Sequence, residues 1–198
     1  MGQAPKRRGA CKRNLMLATA IALFVALVVP PIQVISARLH GGWPTITMGA
    51  QAYTRSEWPE RQWRSLDELG HVPRIVLSSE DHGFFQHNGF EWAAMGAALE
   101  WNRRHPNEFP RGASTLSQQT ARNLFLWQGG GLFRKALEAM YTVWLEVIVP
   151  KVRILELYCN LAETGPGAFG FESGAQLWFH KSAKDLTLDE AAVLAALL

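Results

Sequence analysis

The order of apolar and polar positions divides the chain into an apolar N-terminal run and a longer part with helical periodicity. Residues 15–35 carry no charge and are mostly apolar. A run of this length matches the roughly 20 residues that cross the hydrocarbon core of a bilayer as a helix. From about residue 56 onward, apolar residues recur at helical spacing, and alternating strand-like runs are nearly absent. The pattern predicts a mainly α protein in which one transmembrane helix precedes a helical domain.

Individual helices and their starts are predicted within the longer part. The predicted helices cover residues 72–79, 90–101, 115–127, 132–149 and 152–161. Capping boxes, in which Glu or Gln follows a hydroxyl residue by three positions, are predicted at Ser65, Thr115 and Thr187. Residues 36–55, in which Gly, Pro and Thr are frequent from His40 onward, are predicted to be a linker. Because the apolar pattern at Leu198 has no stop signal, we expect the domain of residues 56–198 to continue beyond this sequence.

Positive charge is concentrated at the N-terminus. The formal net charge is +3, and five basic residues without an acid lie in the first fourteen positions, so subtracting them leaves −2 for the rest. No basic block of the nucleic-acid-binding type remains, which argues against nucleic acid as a partner. Basic residues before the apolar run predict that residues 1–14 are cytoplasmic and that the bulk of the chain lies outside. The alternative is a cleaved signal peptide, for which residues 35–37 are a poor cleavage site.

The first candidate for chemistry is the segment of residues 80–89, which reads EDHGFFQHNG. Glu80 ends an apolar helical stretch and has aromatic neighbours. A carboxylate near a helix C-terminus in such surroundings should find its charged form disfavoured, which suits it to general-base catalysis. The alternative is a solvated helix end with Asp81 as a turn residue, and the local features alone favour this alternative.

The second candidate is the segment of residues 111–119, RGASTLSQQ, around a helix start. Gly112 allows a close approach of the backbone, and hydroxyl and amide side chains follow it. Backbone N–H groups at a helix start can hold an anion such as a phosphate. The alternative is an ordinary helix cap, which this segment alone favours.

Two further segments are individually weak signals. Arg134 and Glu138 lie one helical turn apart beside an apolar stripe, and an ion pair at this spacing contributes roughly 0.2–0.5 kcal/mol. Arg before Glu is the less favourable order for such a pair. A phosphate-binding pair of Arg134 and Lys135 followed by a second carboxylate is an equally good interpretation. Residues 151–160, KVRILELYCN, alone predict an amphipathic helix in the core.

The stretch of residues 124–133 is apolar but interrupted by three consecutive glycines. Glycine-rich loops on a protein surface normally have polar flanks. One interpretation places Trp127 and Leu132 at a bilayer interface, where a Trp ring is favoured. The alternative is that Leu124, Phe125 and Phe133 are core residues.

Taken together, the order and spacing of these segments resemble the family 51 peptidoglycan glycosyltransferases. The family motif E-D-x-x-F-x-x-H-x-G is matched by Glu80, Asp81, Phe84, His87 and Gly89. The motif G-x-S-T-x-x-Q-Q is matched by Gly112, Ser114, Thr115, Gln118 and Gln119. The motifs R-K-x-x-E and K-x-x-I-L-E-x-Y-x-N are matched by Arg134, Lys135, Glu138, Lys151, Ile154, Leu155, Glu156, Tyr158 and Asn160. The resemblance extends from about Trp63 to Leu198, and residues 165–170 and 178–181 look most like the monofunctional enzymes.

The resemblance implies a lysozyme-like, mostly helical fold with a larger lobe and a smaller membrane-proximal lobe. It implies that the 4-hydroxyl of lipid II attacks the anomeric carbon of a lipid-linked glycan strand, with inversion and release of undecaprenyl diphosphate. Glu80 is then the general base and Glu138 the second catalytic carboxylate. Arg134, Lys135 and Arg122 neutralise the diphosphate, together with a divalent cation, Mg²⁺ or Mn²⁺, near Glu138. No organic cofactor is implied.

The resemblance also implies a wider substrate site, a location and partners. Residues expected to bind substrate are Asp81, His87, Arg111, Ser114, Thr115, Gln118, Gln119, Arg122, Arg134, Lys135, Lys151 and Asn160. The expected location is the bacterial inner membrane, with the catalytic domain on the extracytoplasmic side. Expected partners are the membrane, the lipid-linked substrates, and other cell-wall synthesis or division proteins. The alternatives are a lysozyme-like enzyme that cleaves peptidoglycan and a non-catalytic, membrane-anchored wall-binding protein.

Overall fold

The computed structural model describes residues 7–42 and 44–198, and of residues 7–11, 15 and 21–23 it describes only the backbone. About 66% of the chain is helical, which confirms the predicted mainly α class. The helices are α1 (Arg7–His40), α2 (Ile46–Arg55), α3 (Val72–Glu80), α4 (Trp92–Arg104), α5 (Leu116–Phe125), α6 (Gly131–Ile148), α7 (Lys151–Leu161), α8 (Phe171–Phe179) and α9 (Leu188–Ala195). The strands are β1 (Glu60–Arg61), β2 (Glu163–Gly165) and β3 (Ala168–Phe169), and short 3-10 helices cover Leu66–Leu69 and Ala183–Asp185.

The predicted transmembrane run lies inside α1. This helix continues through Pro30 and Pro31 without a break. Its part Lys12–His40 is long and apolar enough to cross a membrane by length and composition. Of the predicted cytoplasmic segment, residues 1–6 lie outside the described part of the chain.

The last turns of α1 pack against α6. Val34 and Ala37 belong to the buried core. Arg38 Nη1 donates a hydrogen bond of 2.8 Å to the carbonyl of Ile148 at the end of α6. The hydroxyl of Tyr141, also on α6, donates to the side chain of Gln33. The apolar helix is therefore joined to the domain through side-chain packing as well as through the chain itself.

The prediction of a linker over residues 36–55 is wrong for most of that segment. Residues 36–40 continue α1, and residues 46–55 form α2. Thr45 begins α2 by accepting a hydrogen bond of 3.2 Å from the backbone N–H of Met48, and the Met48 side chain is buried. The sequence pattern did not indicate this helix, because Gly and Thr are frequent in the segment and a hydroxyl residue that caps a helix is also common in turns. Met48 is the single buried side chain of the helix.

The helices predicted from periodicity are found within a few residues of their predicted ends. The three predicted capping boxes, at Ser65, Thr115 and Thr187, are present. In the first of them, Glu68 accepts a hydrogen bond of 2.9 Å from the backbone N–H of Ser65.

In the glycine-interrupted stretch Leu124 is buried, whereas Leu132 is 90% exposed and Phe133 is 68% exposed. The core alternative is thus right for Leu124 and wrong for Phe133.

The packing of α5 positions the elements around the candidate site. It lies against both α6 and α7, while α3 packs against α9. The three strands form a small sheet of order β1-β3-β2, with β1 parallel and β2 antiparallel to β3, and α8 lies against it. This arrangement brings the C-terminus of α3 and the N-terminus of α5 together with the inner face of α7.

Candidate functional site

A cleft of about 670 Å³ lies where the end of α3, the side of α4 and the start of α5 meet. Its lining includes Glu80, Glu91, Arg111, Ser114, Gln119 and Arg122. A second cleft of about 680 Å³ shares Gln119 and Arg122 with the first and extends along α7 to β2. The two form one path along the described surface, with Glu80 in the first cleft beside the junction.

Glu80 is the last residue of α3 and is partly buried. Its Oε2 accepts a hydrogen bond of 3.0 Å from the side-chain amide of Gln119 on α5. Among the described residues, none donates a hydrogen bond to its other oxygen, Oε1. One oxygen of the carboxylate is therefore held in place while the other can accept a proton from a group in the cleft.

Asp81 is buried behind Glu80 and organises the backbone around it. Its Oδ2 accepts from the backbone N–H of Leu116 at 2.8 Å, and its carboxylate lies 3.0 Å from Nε2 of His87. The backbone N–H of Gly89 donates to Nδ1 of His87 at 3.1 Å, so the proton of the imidazole lies on Nε2 and points to Asp81. At the start of α5, Asp81 takes the N–H of Leu116 and the Thr115 hydroxyl takes that of Gln118, which agrees with the helix-cap alternative for this segment.

A hydrogen bond between Gly89 and Thr115 joins the first two motifs. The hydroxyl of Thr115 donates to the carbonyl of Gly89 at 2.7 Å, and the same oxygen caps α5. Gly89 has φ of +90°, and a Cβ there would lie 2.8 Å from Cγ2 of Thr142. Only glycine fits this position, because both the left-handed backbone and the close neighbour exclude a side chain.

Glu138 is buried on α6, and cationic groups hold both of its oxygens. Arg134 Nη1 lies 2.6 Å from its Oε2, and the Lys135 ammonium contacts its Oε1. Lys135 also donates to Ser114 Oγ at 2.9 Å, which brings the third motif to the wall of the cleft. The i,i+4 ion pair therefore forms despite its unfavourable order, because Glu138 is buried and needs a partner.

This environment does not fit the expected divalent cation at Glu138. Mg²⁺ and Mn²⁺ take oxygen ligands, and both Glu138 oxygens already face positive charges. The part of the chain that the structure describes contains no group of three His, Cys, Asp or Glu residues that could hold a metal ion. The cations at this place are the side chains of Arg134 and Lys135 themselves.

Arg122 and Arg111 both line the first cleft. Arg122 lines both clefts, and its Nε is buried with no hydrogen-bond partner in the described part of the chain. The guanidinium of Arg111 stacks on the ring of Trp101 at 3.4 Å. The side chain of Asn102 holds the backbone of Arg111 through two hydrogen bonds, of 2.7 and 3.1 Å.

Several residues expected to bind substrate do not line the cleft. Lys151 pairs with Glu146 at 2.7 Å and lies over the ring of Phe84. Asn160 is buried, and its amide bonds both the backbone N–H and the carbonyl of Arg64 at 2.8 Å. Gln118 is used in the capping box, and His87 lies behind Asp81. In this structure their contacts are with the protein itself.

Sequence reasoning missed three residues around the site. Glu91 lines the cleft at the start of α4. Glu146 accepts from Ser117 as well as from Lys151. Tyr158, although part of the fourth motif, was assigned no role, yet its hydroxyl donates to Gln119 Oε1 at 3.0 Å. Burial, and secondarily the nearby charge of Glu80, raises the pKa of the Tyr158 phenol above its usual value, so it remains a donor.

Comparisons with known proteins agree with these motifs. The family described as Transglycosylase matches residues 48–198. A protein of Shigella boydii serotype 4 named biosynthetic peptidoglycan transglycosylase is 43% identical over 187 residues, covering 91% of this chain and 72% of that protein. One of the same name from Klebsiella oxytoca is 43% identical over 93% of this chain and 76% of its own length. A third, from Bdellovibrio bacteriovorus, is 43% identical over 70% of this chain and 55% of its own length.

Proposed function

The chain belongs to the transglycosylase family and is a peptidoglycan glycosyltransferase, and we propose that it polymerises lipid II into glycan strands with inversion at the anomeric carbon. The observation that carries the proposed chemistry is the Glu80 carboxylate, which opens on the cleft with one oxygen that no described residue donates to. The substrate is lipid-linked, and the reaction that we propose has two reactants. Lipid II is the acceptor, and the growing lipid-linked strand is the donor.

Glu80 is the general base of this reaction. An alcohol is a poor nucleophile near neutral pH, and proton removal in the transition state typically accelerates such a step by about 10²–10⁴. Oε1 of Glu80 takes the proton of the acceptor 4-hydroxyl as that oxygen forms a bond to the donor anomeric carbon. The bond from this carbon to the diphosphate oxygen breaks on the opposite face, so an α donor linkage becomes a β product linkage.

The diphosphate leaving group needs positive charge near the same cleft. Lys135 reaches the cleft wall through Ser114, and Arg122 has a buried N–H with no hydrogen-bond partner among the described residues. Arg134 and Lys135 both pair with Glu138, and the Lys135 ammonium, held at Ser114 on the cleft wall, also faces the position of the leaving group. Fixed cations of this kind stabilise charge that develops in the transition state. Glu138 then holds the two cations in place and does not itself touch the sugar.

The apolar helix α1 keeps the enzyme beside a substrate that stays in the bilayer. We assign this helix to the inner membrane as a retained anchor, with residues 1–14 in the cytoplasm and the cleft outside. The basic residues that precede the apolar run support this orientation. The packing of α1 on α6 supports retention, because cleavage before residue 37 would remove the core residue Val34.

The experiment that tests the proposal incubates the detergent-solubilised full chain with labelled lipid II and, separately, with purified peptidoglycan. We expect polymer from lipid II and no new ends in the purified glycan. Cleavage of the glycan without polymer formation would identify a lysozyme-like hydrolase instead. Loss of both activities in a folded preparation would favour the non-catalytic wall-binding alternative.

A further inference from the structure

Tyr158 forms the inner end of a hydrogen-bonded chain that ends at Glu80. Tyr158 is 1% exposed on α7. Its hydroxyl donates to Gln119 Oε1 at 3.0 Å, and Gln119 Nε2 donates to Glu80 Oε2 at 3.0 Å. The chain thus connects α7 to α5 and α5 to the end of α3, and it joins three of the four motifs.

The phenol completes the set of partners that fixes which way the Gln119 amide faces. An amide can bond with either its oxygen or its NH2 group toward a given partner, and only the surrounding hydrogen bonds select between the two. The Ser114 carbonyl can only accept, so the NH2 group lies on that side, and the amide oxygen faces α7, where the Tyr158 hydroxyl donates to it. The NH2 group must then face Glu80, where it donates to a carboxylate that can only accept while it is ionised.

The same amide also touches the cleft wall. Gln119 Nε2 lies 3.4 Å from the backbone carbonyl of Ser114, the residue that receives Lys135. With its NH2 group shared between this carbonyl and Glu80, and its oxygen held by Tyr158, the amide has a partner at each end. Gln119, expected from the sequence to bind substrate, has all three of these contacts within the protein.

We infer that Tyr158 is a positioning residue that acts through Gln119 to hold Glu80 Oε2 and to leave Oε1 directed into the cleft. This inference rests on the proposed function, since it takes Glu80 as the base. Without the hydroxyl, the buried amide oxygen would lose its donor, and the amide would be held only at its NH2 end. Glu80 would then lose part of the support that fixes its orientation.

The test is Tyr158→Phe in the full chain, assayed by lipid II polymerisation in detergent. Phe keeps the ring and removes only the hydroxyl. We expect kcat to fall about tenfold, as for the loss of one buried hydrogen bond at the base, while KM changes less than about twofold. An unchanged kcat, or a rise in KM as large as the fall in kcat, would overturn the inference.

A double-mutant cycle separates positioning from general loss of structure. On a Gln119→Leu background, Tyr158→Phe should add no more than about a twofold change, because the two residues act in one chain. If the two substitutions lowered kcat independently, so that their separate effects multiplied in the double variant, the inference would be contradicted. Tyr141→Phe is the matched control: it also removes a tyrosine hydroxyl from a helix, one that donates to Gln33. It should leave kcat unchanged, and a fall in kcat as large as that of Tyr158→Phe would count against the role of the hydrogen-bonded chain.

The proposed function and this inference fail in different ways. If Glu80→Gln keeps near-normal turnover, Glu80 is not the base, and the proposed chemistry fails together with any role of Tyr158 in it. If Glu80→Gln is inactive while Tyr158→Phe matches the wild type in kcat, the base assignment stands and only the positioning role is refuted.

Discussion

The ammonium group of Lys135 lies 2.9 Å from the hydroxyl oxygen of Ser114, and this contact joins α6 to the wall of the cleft. The same ammonium pairs with Glu138, which is buried. Lys135 thus lies between a buried carboxylate and the position proposed for the leaving diphosphate.

Replacing Lys135 should affect donor use more than stability. We expect Lys135→Gln to lower kcat/KM about 10- to 100-fold, the effect of losing one charge-assisted hydrogen bond, because Arg134 still pairs with Glu138. Lys181→Gln is a matched control, since Lys181 also pairs with a glutamate and the two lysine side chains are 41% and 40% exposed. Kinetics and melting temperatures of both variants check this. Activity lost only in proportion to melting temperature would assign Lys135 a structural role.

Removing the apolar helix should destabilise the domain. Val34 and Ala37 are core residues, and burial of a side chain such as Val contributes about 1.5–3 kcal/mol. For a domain of this size, we expect a fragment of residues 41–198 to melt roughly 3–10 °C below the full chain in detergent. Removal of residues 1–14 alone should leave the melting temperature unchanged. Equal melting of the long fragment and the full chain would mean that α1 only tethers the domain.

The exposed apolar side chains at the start of α6 should contact lipid. Leu132 is 90% exposed and Phe133 68% exposed beside the glycine-rich turn. We expect an environment-sensitive fluorophore at Leu132→Cys, in a Cys11→Ser chain reconstituted in liposomes, to shift to the blue and to be quenched by brominated lipids. The same label at Val193→Cys, an exposed position on α9, serves as the control. Identical spectra at the two positions would rule out this membrane contact.

Alkaline pH should destabilise the fold through Cys159. Burial, and secondarily the charge of Glu156, raises the pKa of its thiol above the usual value. The unfolded chain then releases this proton first, so the contribution is complete below the ordinary thiol pKa of about 8.5 and is lost as pH rises above it. Between pH 8 and 10, the unfolding free energy of the wild type should fall more steeply than that of Cys159→Ala. Parallel curves would show that the thiol does not contribute.

Much of the fold follows from local sequence patterns. The helical periodicity predicts the ends of α3, α5, α6 and α7 within a few residues, because each helix has one continuous apolar face. Thr115 and Thr187 mark helix starts through contacts three residues away, which a sequence shows directly. By contrast, α2 was missed because its short span contains a single buried side chain, Met48.

The site is less predictable than the helices because its contacts are long-range. Matching motifs identified Glu80 and Gln119 as candidates, but not the hydrogen bond that links them. The partner of Lys151 is Glu146, which belongs to no motif, so its ion pair could not be anticipated. Nor does local spacing reveal that Asp81 accepts a hydrogen bond from the N–H of Leu116 at the start of α5.

The most direct measurement is the rate of lipid II polymerisation by Glu80→Gln. Glutamine keeps the shape of the side chain but cannot accept the proton of the acceptor hydroxyl, and loss of a general base typically lowers the rate about 10²–10⁴-fold. We predict a loss of this size in kcat, with a melting temperature near that of the wild type, because Glu80 is partly exposed and its single protein hydrogen bond is to Gln119 among the described residues. Near-normal turnover by Glu80→Gln would contradict the assignment of Glu80 as the base.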